Sequence, residues 1–363
     1  MNMDNVKLRA YDGAAIAGFL SISWLFFTAP GAIVGLSGPA AWIAVILAHV
    51  FMLLVFLIVT ALRYDGRDII AVTSGLLGKP IGLLYGTALG LYFCFFAGVF
   101  IRECAEILKT YSLPLTPVYV ISGLIIFSAA IMNVLGGQAL MKSAGLFFIV
   151  TVFGIILILL LGVNRYNPDY LFPVLGEGMD GIARSGRHLT SMIGFVPALA
   201  LLAPNFEDRN AYRKSGVIAL ALSALLSILF YLCLTMTFSV SVSPEMASGF
   251  MELGKSIYYD HFFYRFESVL LFFLIFSSVI TASIGLYLAR KSAEITFSVK
   301  SAKAAVAACA VVVAIIAFLP ANLLDLKNHY LAAIWNYGVF FTAGIPLLLF
   351  IISAVKRILK YEK

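Results

Sequence analysis

Two stretches of this chain put helix-breaking residues inside runs apolar enough to cross a membrane. "GFVPALALLAP", Gly194 to Pro204, opens on a glycine and carries Pro197 and Pro204. "FFTAPGAIVG", Phe26 to Gly35, carries Pro30 and Gly31. A break frees backbone N–H and C=O groups, and in hydrocarbon each freed group must find a partner. Enclosed by protein, such groups can bind a ligand, helped by the dipoles of the two half-helices. A proline kink is the bland reading of either break alone. Two breaks at matching places in the two halves of the chain point to a site. The candidate ligand contacts are Ser21, Ser23, Trp24 and Thr28 at the first break and Gly194, Phe195 and Pro197 at the second. Ser277 and Ser278 on the eighth apolar stretch could face the same ligand.

Charged and polar residues inside apolar runs are the next candidates. Arg102 and Glu106 stand four apart, the spacing of a salt bridge on one helix face, and read as a structural charge pair or as a charge network at the mouth of the site. They end a stripe of small residues, Gly82, Gly86, Gly90, Cys94 and Gly98, that lets another helix approach closely. The stripe drifts about 40° per step on a 3.6-residue helix, so it should wind around a tilted neighbour. His49 in "ILAHVFML" is expected to make an interhelical hydrogen bond rather than relay protons. Glu267 reads as an interface residue. Ser277, Ser278 and Thr281 either bond back to their own helix or face a ligand. No acidic residue stands out at the midplane.

Several chemistries have no support. There is no phosphate-binding loop, no HExxH and no dinucleotide fingerprint, and the four histidines are scattered. An enzyme, a metal site and a cofactor are therefore not expected. The four cysteines lie within or at the end of apolar runs without a CxxC, as small packing residues do.

The elements that must hold these residues follow from composition. The 363 residues are 62% hydrophobic and only 12% charged, with a mean hydropathy of +1.01. One globule cannot hide that much apolar surface, so the solvent is lipid. Ten apolar stretches are read at about 14–36, 40–62, 82–108, 117–135, 143–163, 189–206, 215–240, 263–289, 303–320 and 331–355. Continuous runs such as "FFIVTVFGIILILLLGV" exclude a β-barrel. The first run is too long for a cleaved signal core and reads as a span, capped by Asp12. With both termini cytoplasmic, 17 of the 25 Lys and Arg residues fall on the cytoplasmic side. The net charge of +7 is then a topology signal and an affinity for anionic lipid, not a nucleic-acid footprint. "MDGIARSGRHL" reads as a short helix lying along the membrane. The breaks fall in spans one and six, and five helices per half force the second half to insert inverted. The expectation is one all-α transmembrane domain, 1–363, with ten helices in a 5+5 inverted repeat. Repeat one covers about 11–163, an outer loop about 164–188 and repeat two about 189–356.

Four strings carry a family resemblance: "AWIAVILAHVFMLL", "FIRECAEILKTYSLPLTP", "NVLGGQALMKSAGLFF" and "PDYLFPVLGEGMDGI". Together they resemble the B subunit of endospore nutrient-germinant receptors, in the amino acid–polyamine–organocation superfamily. The resemblance implies a LeuT-like fold and a subunit that senses an amino acid or other small-molecule germinant at a site lined by spans one, three, six and eight, with Tyr92 and Phe96 as its span-three candidates. It also implies partner A and C subunits and residence in the spore inner membrane. Two positions depart from the family pattern. Gly194 and Pro204 keep its span-six spacing, but Phe195 stands where a glutamate is usual. Ser23, Trp24 and Leu25 precede Pro30 where the family is glycine-rich. Both changes make the pocket bulkier and less charged. A proton- or sodium-coupled transporter on the same fold, and a scaffold subunit with a vestigial pocket, remain the alternatives.

Overall fold

Proline and glycine set where the helices of this chain stop. A computed structural model describes residues 7–62, 66–257 and 266–361. The side chain of Glu267 and the backbone of Arg63 lie outside the described residues. The chain is helical almost throughout and has the ten-span, LeuT-like architecture.

Span one is α1 (Ala10–Ile22), a 3₁₀ turn (Ser23–Phe26) and α2 (Ala29–Ser37). Asp12 closes the start of α1 by accepting from the Arg9 N–H at 3.0 Å. After a turn at Gly38, whose φ of 59° favours glycine, α3 (Ala41–Leu62) forms span two. The short α4 (Ile69–Leu77), capped by Asp68, leads into α5 (Lys79–Tyr111), the third span. Spans four and five are α6 (Val118–Val134) and α7 (Gly137–Leu161).

Span six is α8 (Gly178–Met192) and α9 (Phe195–Leu201). Helix begins at Gly178, within the stretch expected as an outer loop, 164–188. "MDGIARSGRHL" lies in α8, the helix that runs up to the break at Ile193 and Gly194. Its exposed face carries Asp180 and Arg184, paired at 2.8 Å, and its buried face carries Gly181, Ile182, Ser185 and Leu189. Counting apolar runs misses such a half-helix.

Spans seven to nine are α10 (Arg209–Thr237), α12 (Phe266–Phe297) and α13 (Ala302–Phe318), with the short α11 (Gly249–Ser256) between the first two. Span ten joins α14 (Leu323–Asp325), α15 (Ala332–Val339) and α16 (Ile345–Tyr361) through two π-helical turns. The lipid belt is legible on α7, where Leu146, Ile149, Phe153, Ile156 and Leu160 are exposed at helical spacing.

The small-residue stripe on α5 winds as its drift implies. A side chain at Gly86 would meet Thr296 of α12, whereas one at Gly98 would meet Ile316 of α13 at 2.7 Å. Ser292 on α12 donates to the Gly86 carbonyl at 2.8 Å. A second charge pair of the same spacing sits on α12. Arg102-Glu-Cys-Ala-Glu106 on α5 and Arg290-Lys-Ser-Ala-Glu294 on α12 occupy the last third of corresponding helices. In each the arginine pairs with the glutamate four residues on, at 2.8 Å and 3.1 Å.

Candidate functional site

Pro30 is the second residue of α2, so it offers no N–H to the carbonyl four residues earlier, that of Phe26. The freed carbonyl is satisfied from elsewhere. Ser248, the N-cap of α11, donates its hydroxyl to Phe26 at 2.6 Å and accepts from the Met251 N–H at 3.1 Å. Pro197 plays the same part in span six, where Ile193 and Gly194 separate α8 from α9. The Met192 carbonyl there accepts both the Gly194 N–H at 2.8 Å and the Trp24 indole N–H at 3.0 Å. One carbonyl therefore ties the two breaks together.

Around this tie the first break is packed with aromatic rings. Trp24 meets Phe96 and Phe100 edge-on at 5.5 and 5.6 Å, and Phe27 meets Phe100 at 4.9 Å. Tyr92 stacks on Phe341 of span ten at 4.7 Å, with its hydroxyl 3.5 Å from where a side-chain carbon of Gly194 would sit. On the other side of the break a hydroxyl cluster joins spans one and eight. Ser23 Oγ lies 2.6 Å from Thr281 Oγ1 and 3.3 Å from Ser277 Oγ.

The structure thus brings Ser23, Trp24, Thr28, Tyr92, Phe96, Gly194 and Ser277 to the two breaks. Ser278 lies beside Cys104 of α5. Ser21 instead donates to the Ala17 carbonyl of its own helix at 2.9 Å. The Phe195 ring turns toward Phe56 of span two, 5.5 Å away, and Pro197 is buried within α9. Arg102 bonds Glu106 through Nε at 2.9 Å and reaches across to the Ala317 carbonyl of α13 at 3.2 Å. His49 is a correction: its Nδ1 lies 2.9 Å from the Val45 carbonyl of its own helix, so the expected interhelical bond is replaced by a local one.

A second correction concerns acidity. Glu103 is fully buried beside the first break, and its Oε1 accepts both the backbone N–H of Thr28, at 3.1 Å, and the Thr28 hydroxyl. Sequence reading passed over Glu103 because Arg102 and Glu106 formed the obvious pair. Its position seven after Phe96 and three after Phe100 was the available signal, since those spacings share one helix face. The described residues contain no cluster of three or more His, Cys, Asp or Glu side chains placed to hold a metal.

Paired broken helices inside a ten-helix inverted repeat define an integral membrane protein of the LeuT-fold class. Two solved structures share the fold. One is Mhp1, a nucleobase-cation-symport-1 family transporter in a closed conformation, with a TM-score of 0.63 and 14% identity over 92% of this chain and 78% of that one. The other is a Na⁺-coupled sialic acid symporter, with a TM-score of 0.68 and 12% identity over 95% and 78%. Within that class the chain belongs to the spore germination protein family, whose model matches residues 17–325. It is 26% identical to spore germination protein KB of Bacillus subtilis (strain 168), covering 69% of each chain. It is also 26% identical to spore germination protein A2 of the same organism, covering 97% of each chain.

Proposed function

We propose that this chain is the nutrient-sensing membrane subunit of a spore germinant receptor. It binds an amino acid or another small molecule between the broken helices and triggers germination through A and C partner subunits. It catalyses no reaction. It resides in the spore inner membrane with both termini cytoplasmic. The observation that carries this reading is the coupling of the two breaks: the Trp24 indole on one donates to the Met192 carbonyl on the other, within a chain of the spore germination family. A molecule seated there would contact both half-helix pairs at once, so its differential affinity for two arrangements would shift the population between them.

A coupled transporter is the second reading. The symporter folds favour it, and buried Glu103 supplies the acidic group that the sequence had not shown. A third possibility, a scaffold subunit with a vestigial pocket, draws on the rings that fill the first break.

The readings part in proteoliposomes. The sensing reading expects ligand-dependent stabilisation of the purified chain, in a thermal-shift screen of amino acids, sugars and nucleosides, without uptake. Gradient-driven accumulation of a labelled amino acid by this chain alone would sink it in favour of transport. Silence in both assays would favour the scaffold.

A further inference from the structure

Glu103 does something its helix does not require. A glutamate on a transmembrane helix is expensive to bury and is normally paired. Here Arg102 and Glu106, its neighbours on α5, are committed to each other and to α13. Glu103 instead crosses to span one. Its Oε1 takes both donors of Thr28, which stands at the N-cap position of the nine-residue half-helix α2 without a side-chain cap bond of its own. Its Oε2 has no hydrogen-bond partner among the described residues, although the side chain is fully buried. Lys327, at the start of span ten, lies within electrostatic reach and donates to the Pro244 carbonyl at 3.0 Å.

The start of a half-helix is an anion seat, because N–H groups and the helix dipole both favour negative charge there. In this structure a carboxylate already fills that seat, and the carboxylate is the protein's own. Its second oxygen is left unsatisfied, so the arrangement holds without being optimal. The Trp24, Phe96 and Phe100 rings lie one to two turns away along the same helices.

We propose that Glu103 is a built-in occupant of the anion seat at the start of α2, and that a ligand bearing a carboxylate acts by displacing it. Displacement would uncouple α2 from α5, the step by which a bound molecule changes the shape of span one. Glu103 would then turn toward Lys327. The proposal rests on the small-molecule sensing reading and adds to it the ligand class, a carboxylate-bearing metabolite such as an amino acid, and a positioning residue that competes with that ligand.

The test compares wild type, Glu103→Gln and Glu103→Ala in lipid nanodiscs. Affinities are measured for the twenty standard amino acids, for the primary amide of each one that binds, and for glucose and inosine. Hydrogen exchange at the Thr28 amide is followed without ligand. Removing the internal competitor should tighten amino-acid binding about tenfold or more in Glu103→Ala, since the seat is then free before the ligand arrives. The amides should gain little. Thr28 exchange should quicken in both variants. Glu103→Gln keeps the shape of the side chain and guards against a folding failure of the alanine variant. Amino-acid binding that is unchanged or weakened in both variants overturns displacement and leaves sensing standing. Weakened binding would mean instead that Glu103 holds the ligand's ammonium group. If nothing binds any of the three proteins, sensing falls and displacement falls with it. If an amide or a sugar gains as much as the amino acid, the seat is not selective for carboxylates and the proposal is overturned.

Discussion

Replacing Arg102 with methionine should destabilise the protein more than replacing Arg102 and Glu106 together. The arginine makes three close polar contacts: Nε to Glu106 at 2.9 Å, the terminal Nη2 to the same oxygen at 2.8 Å, and Nη1 to the Ala317 carbonyl at 3.2 Å. Its side chain and that of Glu106 are only 8% and 10% exposed. Removing one partner of such a pair leaves the other charge buried and uncompensated, which costs about 3–5 kcal/mol. In Arg102→Met/Glu106→Leu no charge remains, and apolar replacement of a buried pair is often near neutral. What stays lost is the bond from the charged guanidinium to Ala317, worth about 1.5–3 kcal/mol. The single variant should therefore lose more than the double variant loses. Equilibrium unfolding of the four proteins in one lipid composition, closed as a double-mutant cycle, measures this directly. A double variant that loses the sum of the two single losses would refute the reasoning, because the two residues would then be independent.

Other outcomes follow from particular contacts. Gly98→Val should cost about 1–3 kcal/mol by forcing α5 from α13, because its Cβ would lie 2.7 Å from Ile316. Gly90→Ala, whose Cβ would meet Ser292 at an ordinary 3.5 Å, should instead stabilise by up to about 1 kcal/mol through helix propensity; thermal unfolding compares the two. Ser248→Ala should cost about 1–3 kcal/mol by stranding the Phe26 carbonyl and uncapping α11, with faster amide exchange at Met251 as its local sign. Trp24→Phe keeps a ring but deletes the bond to Met192. It should cost about 0.5–1.5 kcal/mol and loosen Gly194 exchange, while leaving α13 exchange unchanged.

Much of the architecture was legible because its signals are local. Pro30 and Pro197 remove N–H groups wherever the chain goes, and the i+4 spacing of Arg102 and Glu106 implies a pair on any helix. The spiral of Gly82 to Gly98 likewise follows from helix geometry alone. What escaped depends on tertiary placement. The first half of span six is amphipathic, so "MDGIARSGRHL" looked like a surface helix until α2, α3 and α15 were seen to cover it. Glu103 looked like one acid among several, because only the fold brings Thr28 to it. Phe195 illustrates the converse: adjacency to the break in sequence did not place its ring there, since the next residue of a helix points about 100° away. Ser23 and Thr281 are separated by most of the chain, and nothing local to either announces the other.

The strengths of these contacts say which parts of the molecule can respond to a ligand. Spans three and nine are joined by Arg102, which bonds Ala317 and carries a buried ion pair. Spans four and eight are joined by Asn133, which donates to the Ser283 carbonyl at 3.0 Å. Arg102 and Glu106 sit on one helix, so parting spans three and nine breaks the charged bond to Ala317, worth about 1.5–3 kcal/mol, and strips the pair of its cover. The broken spans are held differently. Trp24 to Met192, Ser248 to Phe26 and Ser23 to Thr281 are single neutral hydrogen bonds, each worth about 0.5–1.5 kcal/mol net. A ligand shifts an equilibrium only by its difference in affinity between two states, commonly about 1–3 kcal/mol for coupled sites. That difference suffices to exchange one or two neutral bonds and falls short of breaking the charged bond and stripping the pair together. On the proposed sensing reading, a bound molecule would therefore exchange the neutral contacts of the two breaks, on α2, α8 and α9, before the charged contact of Arg102. Glu103 is a charged group of span three whose hydrogen bonds reach the first break, which is why its bond to Thr28 is the contact to cut first.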